Sequence, residues 1–337
     1  MLSAFIAGLA GPQLGAREAA LLRQARPCGV ILFARNIEDP DQVRRLTGDV
    51  RTAIGADDIL VLIDQEGGRV QRLKPPHWRP LPPAAAYGRL YQRDAQAALH
   101  AARQAARLTA ADLAALGINT DCTPVLDVPV PGSHDVIGDR AYGTDPQQVA
   151  ALGRAVAEGF MAGGVLPVIK HIPGHGRATK DSHHDLPVVA ASRSDLDASD
   201  FAPFRALADM PAAMTAHVVF TTIDADAPAS TSARVTKDII RDAIGFDGLL
   251  MSDDLGMRAL TGSIAERAAA VLAAGSDLAL LCSGDAAETE SVAAAVPALQ
   301  GTAQARFANA CAVFRQQTAF DVAEAEARLG EVLRSLA

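Results

Sequence analysis

Short apolar runs alternate with longer stretches of helical spacing from one end of this chain to the other. The runs fall at 5–8, 29–33, 59–64, 118–121, 166–170, 212–217, 249–253 and 278–282. Most are continuous rather than alternating in polarity, the pattern of parallel strands covered on both faces. The segments between them, such as 96–116 and 147–161, are rich in alanine and carry charges at helical spacing. Asp39 and Asp145 each precede a proline, Pro40 and Pro146, and then a helical pattern. That reads as an N-cap followed by Pro at the first helical position. Ser263 and Glu266 have the spacing of a capping box. Strand–helix alternation repeated eight times predicts an α/β fold, a (β/α)8 TIM barrel, with a doubly wound open sheet as the structural alternative.

The chain has 337 residues, 49% of them hydrophobic and 21% charged, enough apolar material for one large core. Barrels of this kind reach that length as one domain. We therefore expect 1–337 to be a single domain with a helical extension from about 286, ending in an amphipathic segment at 321–336. The formal net charge is −8 and no basic stripe stands out, which argues against a nucleic-acid partner. The four cysteines are widely spaced without a CxxC pair, which fits reduced thiols and a cytoplasmic setting better than a disulfide framework. The opening MLSAFIAGLAGPQ has no basic leader, and its apolar run is too short to span a membrane. It is expected to be the first buried strand, in a chain with no membrane partner.

Polar residues gather where the apolar runs stop. The third run ends in Asp64 and continues through Gln65, Glu66, Gly67, Gly68 and Arg69 to Arg72. The fifth ends in Lys170 and His171, the sixth in His217, and the seventh in Ser252, Asp253 and Asp254. In a barrel these ends share one face and would line one pocket. Charged groups are costly to bury without purpose, which points to a site.

Four of the eight histidines lie between Lys170 and Pro187, alongside Asp181 and Asp185. Two glycines flank His175. Asp181 and His183 are separated only by Ser182, so the carboxylate can accept from the imidazole, fix its tautomer and raise its basicity. A metal set of His171, His175, His183 and His217 is the rival reading, but no HExxH or Cys/His spacing supports it, and no metal or other cofactor is expected. His77, His100, His134 and His184 read as structural or solvated. Asp253 and Asp254 allow three readings: a strand-end pair bonded to backbone amides, a nucleophile with a supporting neighbour, or a carboxylate that polarises a substrate acetamido group. Asp64 with Arg72, and Arg140 within Gly138–Gly143, could be ordinary ion-pairing residues; their glycine-flanked places after strands favour a site.

Together the segments DQEGGRVQRL, PVLDV, GDRAYG, KHIPGHGRATKDSHHDLP and SDDLGM resemble glycoside hydrolase family 3, and within it the single-domain β-N-acetylglucosaminidases of peptidoglycan recycling. The resemblance covers nearly the whole chain and implies a TIM barrel. It implies Asp253 as nucleophile, His183 as general acid/base and Asp181 as its dyad partner. It also implies that Asp64, Arg72, Arg140, Lys170 and His171 bind the non-reducing sugar. The implied reaction is retaining double displacement on β-linked N-acetylglucosamine of anhydro-muropeptides, a small-molecule carbohydrate substrate, in the cytoplasm; the chain itself is expected to be a monomer. A neutral imidazole repels an anionic acceptor less than a carboxylate would, so a phosphorylase using the same residues is the alternative. A metal-dependent hydrolase and a non-catalytic sugar-binding barrel are the readings from other classes.

Overall fold

Each apolar run becomes one strand of a closed parallel sheet in the computed structural model, which describes residues 1–182 and 185–334. The strands are β1 (Ser3–Gly8), β2 (Pro27–Leu32), β3 (Leu60–Ile63), β4 (Thr120–Asp121), β5 (Leu166–Ile172), β6 (Ala212–Thr215), β7 (Leu249–Asp254) and β8 (Leu278–Leu281). They neighbour one another in chain order, and β1 closes on β8 with Phe5 opposite Ala279 and Ala7 opposite Leu281. This is the expected (β/α)8 barrel.

The continuous apolar character of the strands follows from burial on both sides. Ile6, Leu62, Val168, Met251 and Leu280 fill the barrel interior, whereas Phe5, Val61, Ile63, Ile169, Leu250 and Ala279 pack outward against the helices. Burying each of the larger of these side chains is worth about 1.5–3 kcal/mol. The caps form as expected: the Asp39 and Asp145 side chains accept from the Gln42 and Gln147 amides, and Ser263 and Glu266 cap each other reciprocally.

Three details differ from expectation. β4 is shorter than 118–121, because the Asn119 side chain takes the place of ladder partners, accepting from the Val61 amide at 2.8 Å and donating to the Ile59 carbonyl at 2.8 Å. β6 stops at Thr215, before His217, while β5 runs on to Ile172. The helix Ala286–Ala295, expected to begin the extension, packs against Ala16–Ala25 and Ile264–Ala273 and so completes the outer ring. The chain beyond that helix closes the barrel floor. Leu299, Phe307, Ala310 and Cys311 join the interior cluster from the helix Gly301–Cys311 and the residues before it. The Leu299 amide donates to the Leu2 carbonyl at 2.7 Å. The last helix, Val322–Arg334, packs on Ala95–Ala114 with Ala325 and Leu329 buried. All four cysteines are unpaired, and no helix among the described residues is long and apolar enough to cross a membrane.

Candidate active site

The open end of the barrel, opposite that floor, carries the polar residues. After β3 the chain makes a short antiparallel hairpin, Gln65–Gly67 against Val70–Gln71. Gly67 and Gly68 turn it with φ of 101° and 55°, and a Cβ at either would strike Pro82 or Pro83, so the turn demands glycine. The hairpin is pinned by the Gln65 side chain, which accepts from the Arg72 and Leu73 amides. Asp64, Glu66 and Arg72 are thereby delivered to one cavity of about 330 Å³.

A network of alternating charge lines one side of that cavity. Lys170 Nζ lies 2.8 Å from Asp64 Oδ1 and 2.6 Å from Glu66 Oε1. Arg72 donates to Asp64 Oδ2 at 3.0 Å, and Arg140 grips Glu66 with Nε and Nη2, both at 2.8 Å. Burial opposes charge on both carboxylates, yet the cations more than offset it. Lys170 and Arg72 hold Asp64 well below the usual carboxylate range, and Lys170 and Arg140 bring Glu66 to about 2. Burial likewise opposes the Lys170 charge, but Asp64 and Glu66 push its pKa upward. Asp64 oxygens retain lone pairs and Lys170 a donor hydrogen beyond these bonds, an arrangement suited to adjacent hydroxyls of a ligand.

Asp253, at the end of β7, faces the same cavity. Burial works against its charge, but His171, His217 and the Asp254 amide together keep its pKa below normal. It is therefore a carboxylate at neutral pH, held against the cavity by a strand end. Asp254 has a different role. Its Oδ1 accepts from the Gly256 and Cys282 amides at 3.0 Å each, tying the β7 and β8 ends together, and burial raises its pKa. The histidines are oriented by buried partners: His171 Nδ1 meets Asp127 Oδ2 at 2.6 Å, and His217 Nδ1 meets the Ser230 hydroxyl at 2.7 Å while Nε2 meets the Asp254 carbonyl at 3.0 Å. His175 lies against the cavity with Nε2 3.2 Å from the Ser182 hydroxyl, and burial lowers its pKa to about 4.

Asp64, Arg72, Arg140, Lys170, His171 and Asp253 thus share one cavity. Asp181 is half-buried beside Ser182, which also lines it. His183 lies outside the described residues, as does His184. Among the described residues no group of three or more His, Cys, Asp or Glu side chains is arranged to hold a metal ion. Two residues gain importance that their local sequence did not signal: Glu66, partner of two cations, and Asp127, which orients His171; His175, already marked by its flanking glycines, contacts Ser182. Glu66 and Asp127 do sit inside DQEGGRVQRL and PVLDV. Chemically, the cavity sets a wall of alternating charge, able to donate and accept hydrogen bonds, beside the carboxylate of Asp253.

Residues 5–314 match the glycosyl hydrolase family 3 N terminal domain. A beta-hexosaminidase of Bordetella avium is 41% identical over 278 residues, covering 81% of this chain and 79% of that one. A beta-hexosaminidase of Alkalilimnicola ehrlichii is 40% identical over 286 residues, with 84% and 81% covered. The crystal structure of NagZ from Neisseria gonorrhoeae, in complex with N-trifluoroacetyl-D-glucosamine, superposes with a TM-score of 0.86 at 32% identity, covering 98% of this chain and 97% of that one.

Proposed function

The chain belongs to glycosyl hydrolase family 3, and on that premise we propose that it is a β-hexosaminidase, specifically a retaining exo-β-N-acetylglucosaminidase. The observation that carries this reading is a carboxylate held ionised, Asp253, in the same cavity as the Asp64–Lys170–Glu66–Arg140 network. Its similarity to a protein whose structure holds N-trifluoroacetyl-D-glucosamine supports an N-acetylated sugar in that cavity.

In this reading Asp64, Arg72, Lys170, His171 and Arg140 bind the terminal sugar and fix its ring over Asp253. Asp253 attacks the anomeric carbon, while protonated His183, paired with Asp181, donates to the departing oxygen. The C–O bond to the aglycone breaks as the glycosyl–aspartate bond forms. Neutral His183 then takes a proton from water, whose oxygen displaces Asp253 and gives net retention. The substrate is a muropeptide carrying β-linked N-acetylglucosamine on 1,6-anhydro-N-acetylmuramic acid, acted on in the cytoplasm by a monomer during cell-wall recycling.

The test is product analysis on an aryl β-N-acetylglucosaminide, with the β-glucoside alongside, in phosphate-free and phosphate-rich buffer. Free N-acetylglucosamine in both buffers, with the glucoside scarcely touched, is expected. Sugar 1-phosphate in the phosphate-rich buffer would make the enzyme a phosphorylase. No turnover of either glycoside would overturn the reading.

A further inference from the structure

The cavity wall formed by Val136, Ile137 and Arg140 belongs to a loop with little regular structure of its own, only the single 3-10 turn Gly138–Arg140. Something else must hold it. Two residues of the hairpin after β3 reach it from one side. Glu66 takes the Arg140 fork with two bonds of 2.8 Å. Arg69, three residues on, brings the two hydrogens of Nη2 within reach of three successive loop carbonyls, Asp135 at 2.7 Å, Val136 at 2.9 Å and Ile137 at 3.1 Å. Its Nε bonds Asp139 Oδ1 at 2.8 Å. Gly138, at φ 45°, keeps clear the space that the Asp135 carboxylate and the Arg69 fork occupy; a Cβ there would lie 3.3 Å from Arg69 Nη2 and collide with Asp135. On the far side the His134 amide donates to the Ala178 carbonyl at 2.8 Å, so the loop bridges the hairpin and the segment after β5.

We propose that Arg69 and Glu66 are positioning residues, a two-point clamp by which the hairpin holds the 135–140 loop in place as the sugar-binding wall. The inference rests on the sugar-hydrolase reading. Glu66 acts through Arg140 and Lys170. Arg69, whose side chain is 45% exposed, lies at the outer edge of the wall and gathers three loop carbonyls, to which Arg140 adds its amide at 2.8 Å from Ile137 and Nη1 at 3.2 Å from Val136. A guanidinium suits the task because its donors form a rigid fork, where an ammonium concentrates its charge at one point. With the clamp intact the wall is ordered before sugar arrives. Without Arg69, binding must order it, and the cost falls on affinity rather than on the chemical step.

Four proteins separate the possibilities: wild type, Arg69→Ala, Arg69→Lys and Asp139→Ala. Each is measured for kcat and KM on the aryl β-N-acetylglucosaminide, for the Kd of N-acetylglucosamine by calorimetry, and for Tm. Arg69→Ala should raise KM and Kd roughly tenfold with kcat within about threefold. Its Tm should move by no more than about 2 °C, as expected of an exposed side chain. Arg69→Lys should recover part of the affinity. Asp139→Ala, which leaves the three carbonyl bonds in place, should change KM by less than about twofold. A folded Arg69→Ala protein with wild-type KM and Kd would overturn the clamp while leaving the hydrolase reading intact. Equal losses in kcat and affinity with a lowered Tm would also overturn it, by showing a general scaffold role. A wild-type protein that neither binds the sugar nor cleaves the glycoside would overturn the functional reading itself, and the clamp with it.

Discussion

Asp253 and Asp254 are chemically identical neighbours, and their surroundings give them different work. Asp254 is occupied by two backbone amides, whereas His171 and the Asp254 amide favour the ionised form of Asp253 beside the cavity. Asp253→Ala should therefore lower kcat by about 10⁴-fold or more. Mass spectrometry of the wild-type protein after reaction with a slow fluorosugar that keeps the 2-acetamido group should find the label on Asp253; label elsewhere, or near-normal activity in the variant, would remove it as nucleophile. His175 makes a second prediction. Its pKa is about 4 in the fold against 6.5 ordinarily, so below pH 6.5 the unfolded chain takes up a proton that the native chain refuses. Stability should fall as pH drops from about 6.5 to about 4 and level off below, by roughly 3 kcal/mol from this group. His217, also lowered by burial, acts in the same direction. Urea titrations at pH 7 and 4.5 should show a smaller difference for His175→Gln than for wild type; an unchanged difference would show that this histidine does not refuse the proton. At this scale the sequence was legible where residues cluster along the chain, as Asp64 does with Arg72. It was not legible where a charge meets its partner far away, as Glu66 does with Arg140, since no local spacing marks such a pair.

At the scale of elements, legibility followed burial. Strands covered on both faces are apolar along most of their length, so their positions were plain, and caps such as Asp39 with Pro40 marked helix starts. Ends were less plain, because Asn119 replaces backbone partners with a side chain and nothing in its surroundings announces that. The floor was missed as a floor. A helical pattern tells that 301–311 is a helix but not which end of the barrel its apolar face will cover. Phe307→Ala would leave a cavity beneath the barrel interior and should cost about 3–5 kcal/mol in urea unfolding. KM for the folded fraction should be unchanged; a raised KM would mean that the floor and the catalytic end are not independent.

Across the whole molecule, the apolar floor and the charged cavity occupy opposite ends of one barrel. N-acetylglucosamine at a hundred times its Kd should stabilise wild type by about 2.7 kcal/mol, and Phe307→Ala by the same amount, because the two sites share no partners. Increments that differ would reveal coupling along the barrel axis. Barrel closure also has a consequence for how the chain is made. β1 finds its last partner in β8, whose first residue is Leu278, and the floor needs Leu299 to reach back to Leu2. At about 5–20 residues per second, one edge of the nascent sheet waits on the order of tens of seconds for its neighbour to leave the ribosome. During that interval β1 pairs with β2 alone, and its other edge presents unmet backbone groups to any passing strand.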